Sequence, residues 1–297
     1  MHYMQVPSHV EYERATSVEH ALSLLSRPDT RVLAGGHSLI PMMKLRLAQP
    51  EVLVDINELT ELAFIRLAGD QLCIGALARH ADLLESAVAG ELFPIFHDAE
   101  RVVADPIVRL WGTVGGSLCQ ADPSEDLSAV FAAARAIAVI RGQHGDRVVP
   151  VREFHLGPYE TVIGPGELLA EVRVPVAPGT GSAYEKVARR VGDWSVAAAG
   201  AVLRLSGGLG GDPPVIVSAG LGLTAVGAEH FVAAEAEEFL RGRAADSESF
   251  TAAGAIAAEH CHPVADQRGP EDYKRHLVAE LSARALGRAA ERARLTP

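Results

Sequence analysis

Apolar positions recur along the chain at two periods, helical and extended, and their arrangement changes once. Val18, Ala21, Leu22 and Leu25 follow one another at helical spacing behind Thr16-Ser17-Val18-Glu19, which has capping-box spacing. A first helix is expected over about residues 18–26. A short strand at 31–34 is broken by Gly35-Gly36-His37-Ser38, and a helix over 39–47 carries Pro41 in its first turn, where proline is tolerated. Residues 51–56 read as a strand, and 65–67 with 71–74 as a hairpin around Ala68-Gly69-Asp70. Helices are expected near 81–87 and 95–103, followed by a second glycine-rich stretch at 111–117. Strands at 136–141 and 147–150 flank a turn at 142–146, and a strand at 168–174 is closed by Pro175.

Pro178-Gly179-Thr180-Gly181 is the best linker, and beyond it the order of elements changes. Three longer strands are expected at 183–188, 197–205 and 215–223, with glycine-rich turns between the last two. Three helical stretches follow near 231–241, 250–260 and 273–294. Strands followed by helices suggest an α+β architecture.

Composition adds limits. A length of 297 residues suits two domains, each with its own core, and 48% apolar with 22% charged residues is ordinary for a globular chain. The net charge of −11 and the lack of long Lys/Arg runs argue against a nucleic-acid partner. A phosphate ligand stays open, because backbone N–H groups hold phosphate without side-chain charge. Arg135 interrupts the apolar run at 131–140, the run at 196–203 is short, and neither approaches the ~20 residues of a membrane helix, so no membrane insertion is expected. The first 14 residues are polar with no apolar signal core, which points to the cytoplasm. Cys73, Cys119 and Cys261 are far apart and form no C-x-x-C pair, so a zinc ribbon or a cysteine-held iron–sulfur cluster in this chain is unsupported. His260-Cys261-His262 before Pro263 reads better as a helix end than as a metal site, and no metal is expected.

The candidate chemistry lies in the two glycine stretches. Gly35-Gly36 between a strand and a helix start lets backbone approach a ligand closely, and the helix terminus adds partial positive charge. Alone, such a pair is usually only a tight turn, and neither a Walker A nor a G-x-G-x-x-G pattern is present. Thr113-Val114-Gly115-Gly116-Ser117, followed by Asp122-Pro123-Ser124-Glu125-Asp126, offers N–H groups, hydroxyls and carboxylates suited to a nucleotide.

Taken together the stretches carry a resemblance. Val32-Leu33-Ala34-Gly35-Gly36-His37-Ser38-Leu39-Ile40-Pro41 resembles the first FAD signature of the flavoprotein subunits of molybdenum hydroxylases, the carbon monoxide dehydrogenase/xanthine dehydrogenase family. The run from Thr113 through Asp122-Pro123 to Asp126-Leu127 is similar to the second signature, with Ser117 where the family commonly has Asn. Ala183-Tyr184-Glu185-Lys186, Val191-Gly192-Asp193-Trp194, Asp266-Gln267-Arg268-Gly269 and Tyr273-Lys274 are similar to the carbon monoxide dehydrogenase branch.

The resemblance implies a two-part FAD-binding domain of the vanillyl-alcohol-oxidase type over about residues 1–177, then a smaller α+β domain over about 181–290 with a three-stranded antiparallel sheet and a helix bundle. It implies that Ala34, Gly35, Gly36, His37 and Ser38, with Thr113, Val114, Gly115, Gly116 and Ser117, bind the FAD pyrophosphate, and that Val32, Leu33 and Leu39 also lie at the cofactor. Asp122 and Asp126 would meet polar parts of the nucleotide, Leu169 the ligand through backbone, Lys186 would lie nearby, and Trp194 would sit beside the flavin ring. No catalytic acid, base or nucleophile is implied, since the flavin does the chemistry. The implied partners are a molybdopterin-containing large subunit and a small subunit with [2Fe–2S] clusters, as a heterotrimer open to dimerisation. The alternatives are a stand-alone flavoprotein oxidase, or an FAD-binding chain acting without a molybdenum partner. Valine at Gly36 or Gly115 is expected to cost FAD far more than fold.

Overall fold

The computed structural model describes residues 6–207 and 214–295; most of the glycine-rich turn expected between the last two strands lies outside the described residues. The chain builds a small parallel sheet, a five-stranded antiparallel sheet and a three-stranded antiparallel sheet, with a two-stranded ribbon beside them. The architecture is α+β, a two-part N-terminal portion followed by a smaller sheet with helices.

The parallel sheet has Val52–Asp55 at its centre, between Glu11–Arg14 and Thr30–Leu33. The helix Val18–Leu25 lays Val18, Ala21, Leu22 and Leu25 on it. Its cap is Ser17, whose hydroxyl accepts from the His20 N–H (3.1 Å), one residue later than the expected capping box. The helix Leu39–Lys44 stops short of the expected 47, because Arg46 turns left-handed at φ +59°.

The five-stranded sheet runs Ile65–Ala68, Gln71–Gly75, Glu167–Pro175, Ile137–Gly142, Gly145–Pro150. Its middle strand ties two cores together. Leu168 and Ala170 enter the core of the parallel sheet, whereas Leu169, Val172 and Val174 enter the larger core. A bulge between Leu169 and Glu171 exchanges the faces, since one extra residue inverts the inward–outward alternation.

Between Gln71–Gly75 and Ile137–Gly142 the chain forms six helices where two were expected. Ala87–Leu92, Pro106–Trp111, Val114–Gln120 and Asp126–Ala133 were not foreseen. All eight residues of Asp126–Ala133 are buried, so it shows no amphipathic stripe by which to recognise it.

The C-terminal sheet places Ser195–Ser206 between Thr180–Ala188 and Val215–Thr224. The helices Ala234–Leu240, Ser247–His260 and Glu271–Leu295 share one core with it. The helix Asp126–Ala133 packs directly against the last strand. At Gly220 and Gly222 an added Cβ would fall 1.9 Å from Ala133 O and 2.0 Å from Ala129 O. Gly181 belongs to the first strand, not to the expected linker, and a Cβ there would fall 2.1 Å from Ala289 O in the last helix.

Three carboxylates bridge the N-terminal and C-terminal parts. Asp126 takes the Tyr184 hydroxyl (2.6 Å), the Ser195 hydroxyl (2.8 Å) and Lys186 Nζ (2.7 Å). Asp98 pairs with Arg288 (3.2 Å) and Arg292 (2.6 Å). Glu237 pairs with Arg135 (2.9 Å) and Arg152 (2.7 Å).

Candidate functional site

The first glycine stretch leaves the strand Thr30–Leu33 and turns through Gly36 at φ +73°, a conformation suited to glycine. The backbone N–H groups of Gly35, Gly36, His37 and Ser38 find no acceptor among the described residues. The loop is nevertheless fixed. Ala34 O accepts from Asn57 Nδ2 (2.8 Å), and His37 Nδ1 lies 2.8 Å from Gly35 O. Asn57 is held by Asp55 Oδ1 (2.8 Å) and by Arg79 Nη2 (2.8 Å), while Arg79 Nη1 donates to Trp111 O (2.5 Å). This Asp55–Asn57–Arg79 bracket joins the first stretch to the second. The contact is close enough that a Cβ on Gly35 would fall 2.2 Å from Trp111 O.

The second stretch is a helix start rather than an open loop. Thr113 Oγ1 accepts from the Gly116 N–H (3.0 Å) and caps Val114–Gln120. The Val114, Gly115 and Ser117 N–H groups donate to Ala78 O (2.9 Å), Ala76 O (2.8 Å) and Thr113 O (3.0 Å). A Cβ on Gly115 would fall 2.6 Å from that of Ala76. The sequence reading has these N–H groups face a phosphate; in the structure the protein engages them itself. Gly116 lies at the surface, and Ser117 beside it is half-buried.

Behind Ser117 lies a buried chain. Ser117 Oγ is 3.2 Å from His80 Nε2, and His80 Nδ1 is 3.0 Å from each oxygen of Glu100. Burial alone would lower the His80 pKa; the Glu100 carboxylate outweighs it and holds the imidazole above its ordinary value.

Asp122 accepts from the Ser124 N–H (2.9 Å) and the Tyr159 hydroxyl (3.1 Å). Asp126 and Lys186, expected near the nucleotide, bind each other in the bridge between the two parts, and both Asp126 oxygens are engaged there. Glu125 caps the helix Asp126–Ala133, accepting from the Leu127 N–H (2.7 Å) and the Ser128 N–H (2.6 Å). Burial pushes its carboxyl up to about 7. Leu169 is buried, its side chain in the large core. Trp194 is 45% exposed, on the loop where Gly192 sits against Ala104; a Cβ at Gly192 would fall 2.8 Å from Ala104 O. It is not a core residue.

Sequence reasoning missed Asn57, Arg79, His80 and Glu100. Each acts on a partner at least 20 residues away, and no local pattern marks them. His260 ends its helix and Cys261 caps it, and among the described residues no group of three His, Cys, Asp or Glu side chains is placed to hold a metal. No helix among the described residues is long and apolar enough to cross a membrane.

A parallel sheet and an antiparallel sheet whose middle strand, Glu167–Pro175, contributes side chains to the cores of both, with a row of N–H groups that find no acceptor among the described residues, suit a two-part nucleotide-binding protein. Residues 8–177 match the FAD binding domain in molybdopterin dehydrogenase, and residues 182–289 the CO dehydrogenase flavoprotein C-terminal domain. The chain belongs to this family of molybdopterin-dehydrogenase flavoprotein subunits; it is an oxidoreductase subunit, and its cofactor is FAD. It is 39% identical to the carbon monoxide dehydrogenase medium chain of Afipia carboxidovorans over 97% of this chain and 99% of that one. It is 34% identical to the glyceraldehyde dehydrogenase medium chain of Sulfolobus acidocaldarius, covering 94% and 98%. The solved carbon monoxide dehydrogenase of Hydrogenophaga pseudoflava superposes with a TM-score of 0.91 at 41% identity, over 97% of this chain and 99% of that one.

Proposed function

We propose that this chain is the electron-transfer flavoprotein of a molybdenum hydroxylase. It would take electrons from a [2Fe–2S] subunit, fed by a molybdopterin-containing large subunit, and pass them to a terminal acceptor. The observation that carries the nucleotide part of the reading is the row of four unengaged N–H groups at Gly35, Gly36, His37 and Ser38. Bound FAD supplies the redox chemistry, accepting and releasing electrons. The residues of the chain bind and orient it. The Gly35–Ser38 N–H groups hold the pyrophosphate, Gly116 and Ser117 close its other side, and Trp194 shields the ring from water. Asp126 and Lys186 act by fixing the second part against the first rather than by touching the nucleotide.

Relatives bearing different substrate names match along nearly their full length. Besides carbon monoxide and glyceraldehyde dehydrogenases, they include a 6-hydroxypseudooxynicotine dehydrogenase subunit at 35% identity. One chain type thus recurs beside different substrate names, as expected if the substrate pocket lies in another subunit.

The test is co-purification from the native host with metal and flavin analysis. Molybdenum, iron and FAD in one complex are expected. A chain recovered alone that oxidises a substrate directly would support the stand-alone oxidase instead. The isolated chain should release intact FAD in mild acid, and equal affinity for FMN would remove the pyrophosphate from the reading.

A further inference from the structure

A histidine and a glutamate buried together are costly to hold in a protein interior, and an apolar pair would pack there more cheaply. Here His80 is 3% exposed and Glu100 is 0% exposed. The surrounding backbone is shaped to admit the ring: a Cβ on Gly112 would fall 2.7 Å from His80 Cδ2, and the backbone N–H of His80 donates to Gly112 O (3.2 Å). The ring is thus clamped by the second glycine stretch itself. One nitrogen faces Glu100, and the other faces Ser117 Oγ at 3.2 Å.

Proton counting gives this chain a direction. When the pair holds one proton beyond Glu100 carboxylate and neutral imidazole, His80 Nε2 carries a hydrogen, whether the extra proton rests on Glu100 or on His80. Nε2–H then donates to Ser117 Oγ, and the serine O–H must point elsewhere. When the pair loses that proton, the remaining imidazole hydrogen sits on Nδ1, facing the carboxylate. Bare Nε2 then accepts from the Ser117 O–H, and the hydroxyl presents only lone pairs outwards. Burial favours keeping the proton on the carboxyl, and Glu100 favours keeping it on the ring. The other charges acting on the pair are Glu125 and Asp126, which favour imidazolium, and Arg109, which favours the carboxylate.

We propose that Glu100 and His80 form a positioning relay that turns the Ser117 hydroxyl outwards as a hydrogen-bond donor to a phosphate oxygen of FAD. The proposal rests on the FAD reading above. Below the titration of the pair Ser117 donates to the phosphate; above it, its lone pairs oppose the anion. FAD affinity is therefore linked to one proton and falls as pH rises through that titration.

The test measures the Kd of the full chain for FAD by fluorescence across pH, beside the NMR titration of His80 in the ligand-free protein. Kd should rise by roughly tenfold or more, the loss of one charge-assisted hydrogen bond, with a midpoint following that of His80. Ser117→Ala should bind FAD more weakly at low pH and show no pH step, while His80 still titrates. Glu100→Gln should also lose the step. Riboflavin, which has no phosphate, should bind without the step in the unaltered chain. A pH-independent Kd for FAD in the unaltered chain overturns the relay and leaves FAD binding intact, and so does a step that survives in Ser117→Ala. Absence of FAD binding at every pH overturns the FAD reading together with it.

Discussion

Gly35-Gly36 and Gly115-Gly116 are both double glycines at the start of a short helix, and their surroundings have opposite polarity. The first leaves four successive N–H groups without acceptors among the described residues and turns at a positive φ at Gly36. The second engages the N–H groups of residues 114–117, and Gly115 is small because Ala76 lies against it. Gly35 makes room for Trp111 as Gly115 does for Ala76, so the pairs differ in the fate of their N–H groups and not in how closely the chain approaches them. Composition alone does not separate these uses, since both follow from the missing Cβ. The destination of the backbone hydrogens does.

Substitution can break this comparison. The largest effect is expected at Gly35→Val, where the new side chain meets the Trp111 carbonyl and the Gly112 Cα, backbone that cannot swing aside. A loss of about 4 kcal/mol or more, and a melting temperature lower by about 10 °C, should follow. Gly115→Val should come next, at about 3 kcal/mol, with the surviving folded protein keeping its FAD. This revises the expectation of FAD loss ahead of fold; a Gly115→Val protein that melts normally without flavin would restore a ligand role to that position.

Gly36→Val should reverse the order of losses. Its nearest neighbours are the flexible ends of Ile40 and Leu33, so strain from the positive φ should cost about 1–2 kcal/mol. FAD Kd should rise more than tenfold, because the N–H row loses its direction. Equilibrium dialysis beside thermal melts separates the two.

Beyond the second stretch, Glu125 offers a pH test of packing. Its folded carboxyl ionises only near about 7, and the unfolded one ionises at the ordinary, lower value. Between those values the folded state holds a proton that the unfolded state lacks. Stability should therefore fall as pH rises through this window and level off above it. Denaturant melts at stepped pH measure the slope, and Glu125→Gln should flatten it. The smallest change in stability belongs to Trp194→Ala. An indole 45% exposed leaves melting shifted by under about 2 °C, while flavin fluorescence rises if the ring stacks there. Unchanged fluorescence would remove Trp194 from the site.

Much of the scaffold was legible. The helix at Val18–Leu25, the hairpin at 65–75 and the three long C-terminal strands follow from periodicity and turn residues. The first signature loop is also local, a strand, two glycines and a helix start. The rest depended on distance along the chain. That Gly115 serves packing is decided by Ala76 on another element, and the fate of Asp126 by Tyr184, Lys186 and Ser195, 58 to 69 residues away. His80 and Glu100 stand in two separate helices and become a pair only when these pack. Asp126–Ala133 was unreadable as a helix because burial on every side erases its stripe.

The three carboxylate bridges between the two parts have a consequence for time rather than for affinity. Opening the seam would uncover Asp126 and Lys186, each nearly shielded from solvent, and leave buried charge without its partner. A cofactor lodged along that seam cannot leave by the parts swinging open without breaking such bridges. Its exit would then need smaller movements, such as those of the exposed loop bearing Gly192 and Trp194. Residence of FAD on the protein should then be long even where equilibrium binding is modest. Exchange with added labelled FAD should quicken when Lys186 or Arg292 is neutralised, although neither touches the N–H row.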